Sequence, residues 1–251
     1  MCWSGEASGL LAAAGLSTAF YIAKKGESKE LWVPLTYFAL MELLQAVTYV
    51  YINLCHNPNN QILTLLGYIH IAFQPFFVNM VAMYFIPESI KLKIRTTVYT
   101  VCAISSLLIL IKMYPFDWAG HCVIGEEGFC GPHICSVSGV WHIAWQMPLN
   151  GLLSKPLDFV LFEFEWGLHS LAYIIAAFCM PMVYGSWRFV VFHYLMGPLI
   201  SDITTNDPNE FAAVWCLFSI ALCVSVIKTP LRKYLHVSNW LFYKKSIGDL
   251  L

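Results

Sequence analysis

The sequence predicts an all-α membrane protein, a bundle of seven transmembrane helices with its N-terminus outside and its C-terminus cytoplasmic. Three observations predict it. Apolar residues make up 59% of the 251, against roughly 45–50% in a soluble domain. Charged residues make up 12%, about half the usual share. The apolar excess gathers in runs near or above the ~20 residues that cross a hydrocarbon layer as a helix. A net charge of −1, from 14 basic and 15 acidic residues, supplies no basic surface for nucleic acid.

The runs fall at 5–23, 31–55, 61–86, 96–114, 157–184, 187–201 and 210–228. The first is rich in small residues and resembles a signal-peptide core. Lys24-Lys25 follow it instead of preceding it, and no A-x-A site appears, so it reads as a retained helix. The second carries Glu42 and Gln45, and the third carries His70, Gln74 and Pro75. The fourth is plainly apolar. The fifth holds Glu163, Glu165 and His169. The sixth is short, contains His193 and is interrupted by Gly197-Pro198. Residues 1–228 thus form the membrane domain, and 229–251 a basic cytoplasmic tail with Trp240, Leu241, Phe242 and Tyr243. That tail suits either an amphipathic helix on an anionic leaflet or a plain topogenic signal.

Orientation follows from lysine and arginine. Twelve of the 14 fall in alternate loops and the tail, with Lys112 and Lys155 as the exceptions. A bacterial inner (plasma) membrane is the expected location.

Residues 115–156 form one long outer loop with Cys122, Cys130 and Cys135, and Cys2 and Cys55 belong to the same face. Disulfides are expected there, including one within 122–135, although spacing cannot assign the pairs. His121, Cys122, Cys130, His133 and Cys135 also offer a zinc set, with a spacing that fits no standard finger.

Ionisable side chains inside spans are costly and mark functional sites. Glu42 and Gln45 share a helical face, as do His70 and Gln74, and Glu165 and His169. Counting 1.5 Å per residue from the outer ends, Glu6 is shallow, Glu165 and His70 lie in the outer half, and Glu42 and His169 lie near the middle. The sequence His70-Ile-Ala-Phe-Gln74-Pro75 recurs as His142-Ile-Ala-Trp145-Gln146-Met-Pro148. The second copy reads as a short re-entrant or interfacial helix, and the pair as an internal duplication of the kind transporters carry.

Imidazole and carboxylate on facing helices make metal sites. The expected ligands are Glu6, Glu42, His70, Glu165 and His169, holding zinc first, with iron or manganese as alternatives. An open position would activate water. Glu42 and Glu165 then act as catalytic acid or base. Cys2, if it becomes the first residue, adds an amine and a thiol. Gln45, Gln74, His142 and Gln146 contact substrate, a membrane lipid or small molecule. Haem on paired histidines is a weaker fit, and retinal lacks a mid-span lysine in the last helix. A structural polar network, a path for an ion, proton or small solute, and a seven-span receptor are the alternatives.

Met1-Cys2-Trp3-Ser4 with a small-residue helix, Glu42 with Gln45, and Trp141-His142-Ile-Ala-Trp145-Gln146 resemble patches of uncharacterised bacterial multi-pass membrane proteins. The resemblance implies a shared site at these positions and no particular activity.

Overall fold

A computed structural model describes residues 3–152, 160–161, 164–165, 168–216, 218–241 and 243, with backbone alone at 160–161, 164–165, 168–170 and 219–220. The chain opens with four long antiparallel helices: α1 (Gly5–Lys24), α2 (Lys29–Val50), α3 (Pro58–Tyr84) and α4 (Glu88–Leu110). All four are long and apolar enough to cross a membrane, α4 counted with the turn that extends it to Met113. Ser4, Ser28 and Asn57 cap the first three, each accepting a backbone N–H of the first turn. Pro58 occupies the first position of α3, where no N–H is needed.

Between apolar helices in lipid, close packing and hydrogen bonds replace the hydrophobic effect as glue. Gly15 lets α1 lie directly on α2: a Cβ there would stand 2.7 Å from the Ala39 Cβ. Around Pro75, which removes one N–H from the helix ladder, polar side chains bond neighbouring carbonyls of α3. Ser106 Oγ donates to Ala72 O at 2.6 Å, and Asn79 Nδ2 donates to Pro75 O at 2.8 Å. Asn79 Nδ2 also donates to Ala176 O at 2.7 Å, tying α3 to an irregular helix.

After α4 come two small antiparallel pairs. β1 (Cys135–Ser138) pairs with β2 (Ile143–Gln146), with Cys135 opposite Gln146. β3 (Val160–Leu161) pairs with β4 (Phe164–Glu165). Two expectations are corrected here. The second His-Ile-Ala-aromatic-Gln copy is a strand at Ile143–Gln146, whereas the first lies inside α3, so the repeat is not repeated in structure. His142 and Gln146 therefore do not share a helical face. The fifth expected run, 157–184, is also not helical from its start: Glu165 is on β4 and helix begins only at Leu168. The i, i+4 argument for Glu165 and His169 fails with it.

The rest of the chain is shorter, interrupted helix. α5 (Leu168–Ile174) runs through a π-helical turn, Ile175–Cys179, into α6 (Met180–Val183). α7 (Trp187–Met196) breaks at Gly197 before α8 (Pro198–Thr204). α9 (Pro208–Trp215) and α10 (Phe218–Val226) are separate segments, and α11 (Pro230–Leu235) follows. Proline after Gly197 explains the α7–α8 break. A Cβ on Gly197 would also meet the Trp215 indole nitrogen at 2.4 Å. Among the described residues the tail is helical at α11, whose Arg232 is buried; Phe242 and 244–251 lie outside the described residues.

The two ends of the bundle differ in chemistry. One carries two disulfides, Cys55–Cys135 and Cys122–Cys130. The expected bridge within 122–135 is present, and Cys135 joins Cys55. Cys2 lies outside the described residues. With three of the loop sulfurs oxidised, the zinc set around His121 and His133 is lost. Asn60 clamps β1 by accepting from Ser136 N and donating to Ser136 O, both at 2.9 Å. Lys112, an exception in the charge pattern, pairs with Glu127 of the loop at 2.7 Å and is fully buried. The opposite end is closed by charge: Arg232 to Glu27 at 2.6 Å and Lys91 to Glu30 at 2.8 Å.

Candidate functional site

The interior holds a cavity of about 130 Å³ below the disulfide-bearing loop. Phe38 of α2, Tyr68, Ile71 and Gln74 of α3, Phe129 of the loop, and residues of the interrupted helices enclose it. Its loop-side wall includes exposed Glu126. The walls are mainly aromatic, with polar groups held in pairs. Tyr173 donates its hydroxyl to Gln74 Oε1 at 2.9 Å. Trp215 Nε1 donates to His193 Nε2 at 3.2 Å.

The second pair fixes a tautomer. An indole nitrogen only donates, so His193 Nε2 carries a lone pair and the ring proton sits on Nδ1. That N–H is buried and has no hydrogen-bond partner among the described residues. The ring is held between Phe178, stacked at 4.5 Å, and Phe218, at 4.3 Å. A buried donor left alone costs about 1–3 kcal/mol, so its persistence points to a missing acceptor. The π turn, the Gly197 break and the α9–α10 junction all border this site, as irregular helix often does at functional positions.

A second polar line runs along the buried face of α2. Glu42, Gln45 and Tyr49 follow one another at i, i+3 and i+7. Glu42 and Gln45 are almost fully buried. Cys216, on the cavity wall, lies beside Gln45 and near Glu42. At the loop end Tyr49 reaches His142 Nδ1 at 3.2 Å, and the Ile143 backbone N–H donates to the same nitrogen at 2.8 Å. His142 is thus protonated on Nε2. Burial holds its pKa down to about 3. Trp3 stacks on its ring at 5.6 Å. Glu210 secures the turn before β2, accepting from Trp141 N at 2.5 Å and from His142 N.

Of the expected substrate contacts, Gln74 lines the cavity and Gln45 lies behind Cys216. His142 sits at the loop end of the α2 line, and Gln146 packs under Gly131 on β2. Of the expected metal ligands, the three whose side chains are described, Glu6, Glu42 and His70, are not drawn together. Glu6 is exposed at the start of α1. His70 faces Tyr37, donating from Nε2 to Tyr37 O at 2.9 Å. Tyr37 and Glu42 lie about 140° apart around α2 at 100° per residue. The side chains of Glu165 and His169 lie outside the described set, as does Cys2. Among the described residues no group of three or more metal-binding side chains forms. Among the described residues His70, His142 and His193 each have separate neighbours, and no two of them face each other as a haem clamp. Tyr173, Trp215, Phe129 and the weight of His193 were missed from sequence. Single aromatics carry no signal in a chain with 16% of them.

A model of a family of unknown function, DUF5765, matches residues 6–236. Comparison with curated proteins and with solved structures finds no match.

Proposed function

The chain belongs to this family of unknown function, and from that premise we propose that it is an integral membrane protein that binds a small, mostly apolar molecule inside its bundle. The molecule enters from the disulfide-bearing end and carries a hydrogen-bond acceptor. The observation that carries this reading is the His193 Nδ1–H, buried on a cavity wall with no acceptor among the described residues. Aromatic walls bind the apolar body, and a few placed polar groups orient it. The disulfides favour an oxidising outer compartment for that end. The charge pattern agrees, with Lys24, Lys25, Lys93, Arg95, Lys228 and Lys233 exposed at the other end. A seven-pass path is supported by where the broken helices tie in. Asn209, at the start of α9, bonds the loop at Cys130 O, and Arg188, at the start of α7, bonds Tyr234 O at the charged end.

One alternative has its own support. Three helix interruptions around one interior site are what carriers of small solutes use. In that reading the same cavity is an occluded step on a path, with Gln45 and Glu42 behind it. A metal-dependent enzyme finds less support, because Glu6, Glu42 and His70 occupy three separate places.

The test is mass spectrometry of molecules extracted from protein purified in mild detergent. A single species near one per chain, lost when Ala212 on the cavity wall is enlarged in Ala212→Trp, supports the site. If nothing is bound and the wild type gains no thermal stability from small apolar ketones or ethers, the reading fails.

A further inference from the structure

The charged end of the bundle holds more cations than its own acids use. Glu27, in the turn between α1 and α2, takes buried Arg232 at 2.6 Å and exposed Lys228 at 3.2 Å. Glu30 takes Lys91 at 2.8 Å, and Glu88 pairs with the same lysine. Lys24, Lys25 and Lys29 are exposed around the α1–α2 turn, and none of them pairs with a carboxylate among the described residues. Because Lys228 reaches Glu27, the turn after α10 adds its charge to the same patch. Glu27 itself is outnumbered there, with two cations on one carboxylate.

Two of these lysines are not extended into water. Lys24 Nζ lies over the Phe20 ring, 4.5 Å from its centre, and Lys25 Nζ lies over the Tyr21 ring at 5.6 Å. Each side chain folds back one turn along α1, away from the chain's charged end. Phe20 and Tyr21 are 62% and 59% exposed on a helix long enough to span. In a spanning chain their rings face lipid at the membrane boundary, where aromatic side chains gather. A lysine that ends a spanning helix ordinarily carries its charge outward to water. Here both ammonium groups stand beside lipid-facing rings, with no carboxylate of the described chain as counter-ion. The group of opposite charge at that depth is a lipid phosphate.

We propose that the α1–α2 turn and the turn after α10 bind the headgroup of an anionic phospholipid, with its phosphate on Lys24 and Lys25. A zwitterionic lipid fits less well, because its own ammonium group would meet Lys29 and Lys228. Each lysine near an anionic headgroup contributes about a fivefold gain in binding. The site rests on the membrane reading above and is independent of the interior cavity.

The experiment uses the full chain in mild detergent, with dioleoylphosphatidylglycerol and dioleoylphosphatidylcholine as probes and native mass spectrometry as readout. One phosphatidylglycerol per chain is expected to be held about fivefold or more tighter than phosphatidylcholine. Lys24→Gln and Lys25→Gln should each weaken it about fivefold. Phe20→Leu/Tyr21→Leu keeps every charge and should weaken it about threefold, by releasing the two ammonium groups to water. Lys93→Gln/Arg95→Gln removes two exposed cations of α4, which packs on α3 and α5. That variant should bind as the wild type does. Equal retention of the two lipids, or an equal loss in Lys93→Gln/Arg95→Gln, would show diffuse surface charge and overturn the proposal. Displacement of the lipid by inorganic phosphate would show a free-anion site and overturn it as well. A chain that stays monodisperse without detergent would refute the membrane reading and this site together. Protein that holds phosphatidylglycerol but no interior molecule would support this site and refute the cavity reading alone.

Discussion

Trp215 Nε1 donates to His193 Nε2 across 3.2 Å, joining α9 to α7 just where both helices are interrupted. The pair holds one helix end to the other and sets the histidine tautomer. Trp215→Phe keeps an aromatic side chain but removes the indole N–H and leaves a buried acceptor alone, which costs about 1–3 kcal/mol. Trp215→Phe/His193→Phe removes both partners, so its unfolding midpoint is expected to lie closer to wild type than that of Trp215→Phe. The double variant should nonetheless lose the bound molecule. Thermal unfolding and extraction on the same samples check both. A double variant as unstable as the sum of its singles would show that the pair is not coupled.

Lys112 and Glu127 fasten the loop to the end of α4 from inside. Removing one partner of a buried ion pair costs about 3–5 kcal/mol, because the other charge stays desolvated. Lys112→Met is expected to destabilise by that amount, and Lys112→Met/Glu127→Gln to recover most of it. Urea or thermal unfolding in detergent measures this. The loss should be accompanied by faster proteolysis of 115–150.

The two disulfides close loops of very different length, with sequence separations of 80 and 8 residues. By loop-closure entropy the longer bridge contributes more, roughly 4–5 kcal/mol against about 2–3. Cys55→Ser/Cys135→Ser should therefore lower the unfolding midpoint more than Cys122→Ser/Cys130→Ser. Peptide mapping without reductant should recover Cys55 with Cys135. Recovery of Cys122 with Cys135 instead would refute the pairing.

Hydropathy made the four long helices legible, because each is one long apolar run, and the first three also carry a capping side chain. The loop between α4 and the later helices was legible as cysteine-rich and not in its pairing. The stretch 143–146 misled because Ile-Ala-Trp-Gln suits helix and strand alike. Pairing with β1, fixed by the Cys55 bridge and Asn60, decided for strand. Glu42 and Gln45 were legible as buried polar residues on one face. Their companions were not, since Cys216 arrives from about 170 positions away and no local pattern announces it. His193 stands in the sequence as a lone histidine in a short, interrupted run. Only the Trp215 contact, 22 residues on, shows which of its nitrogens bears the proton.

His142 makes the loop end sensitive to acid. Burial lowers its pKa from 6.5 to about 3 in the folded chain, while the unfolded chain keeps the ordinary value. Between those values the unfolded state binds more protons, so stability falls as pH falls. The contribution is complete above pH 6.5 and declines by up to about 1.4 kcal/mol per unit below it. Glu27 acts in the same direction at the opposite end, later in the titration: the Arg232 guanidinium, aided by Lys228, holds its carboxyl below the ordinary range. That contribution is lost only as pH drops below about 4.5. An unfolding midpoint whose decline from pH 6.5 to 5 is shallower in His142→Phe than in the wild type would assign that part of the upper window to His142. An unchanged decline in that variant would place the acid sensitivity elsewhere.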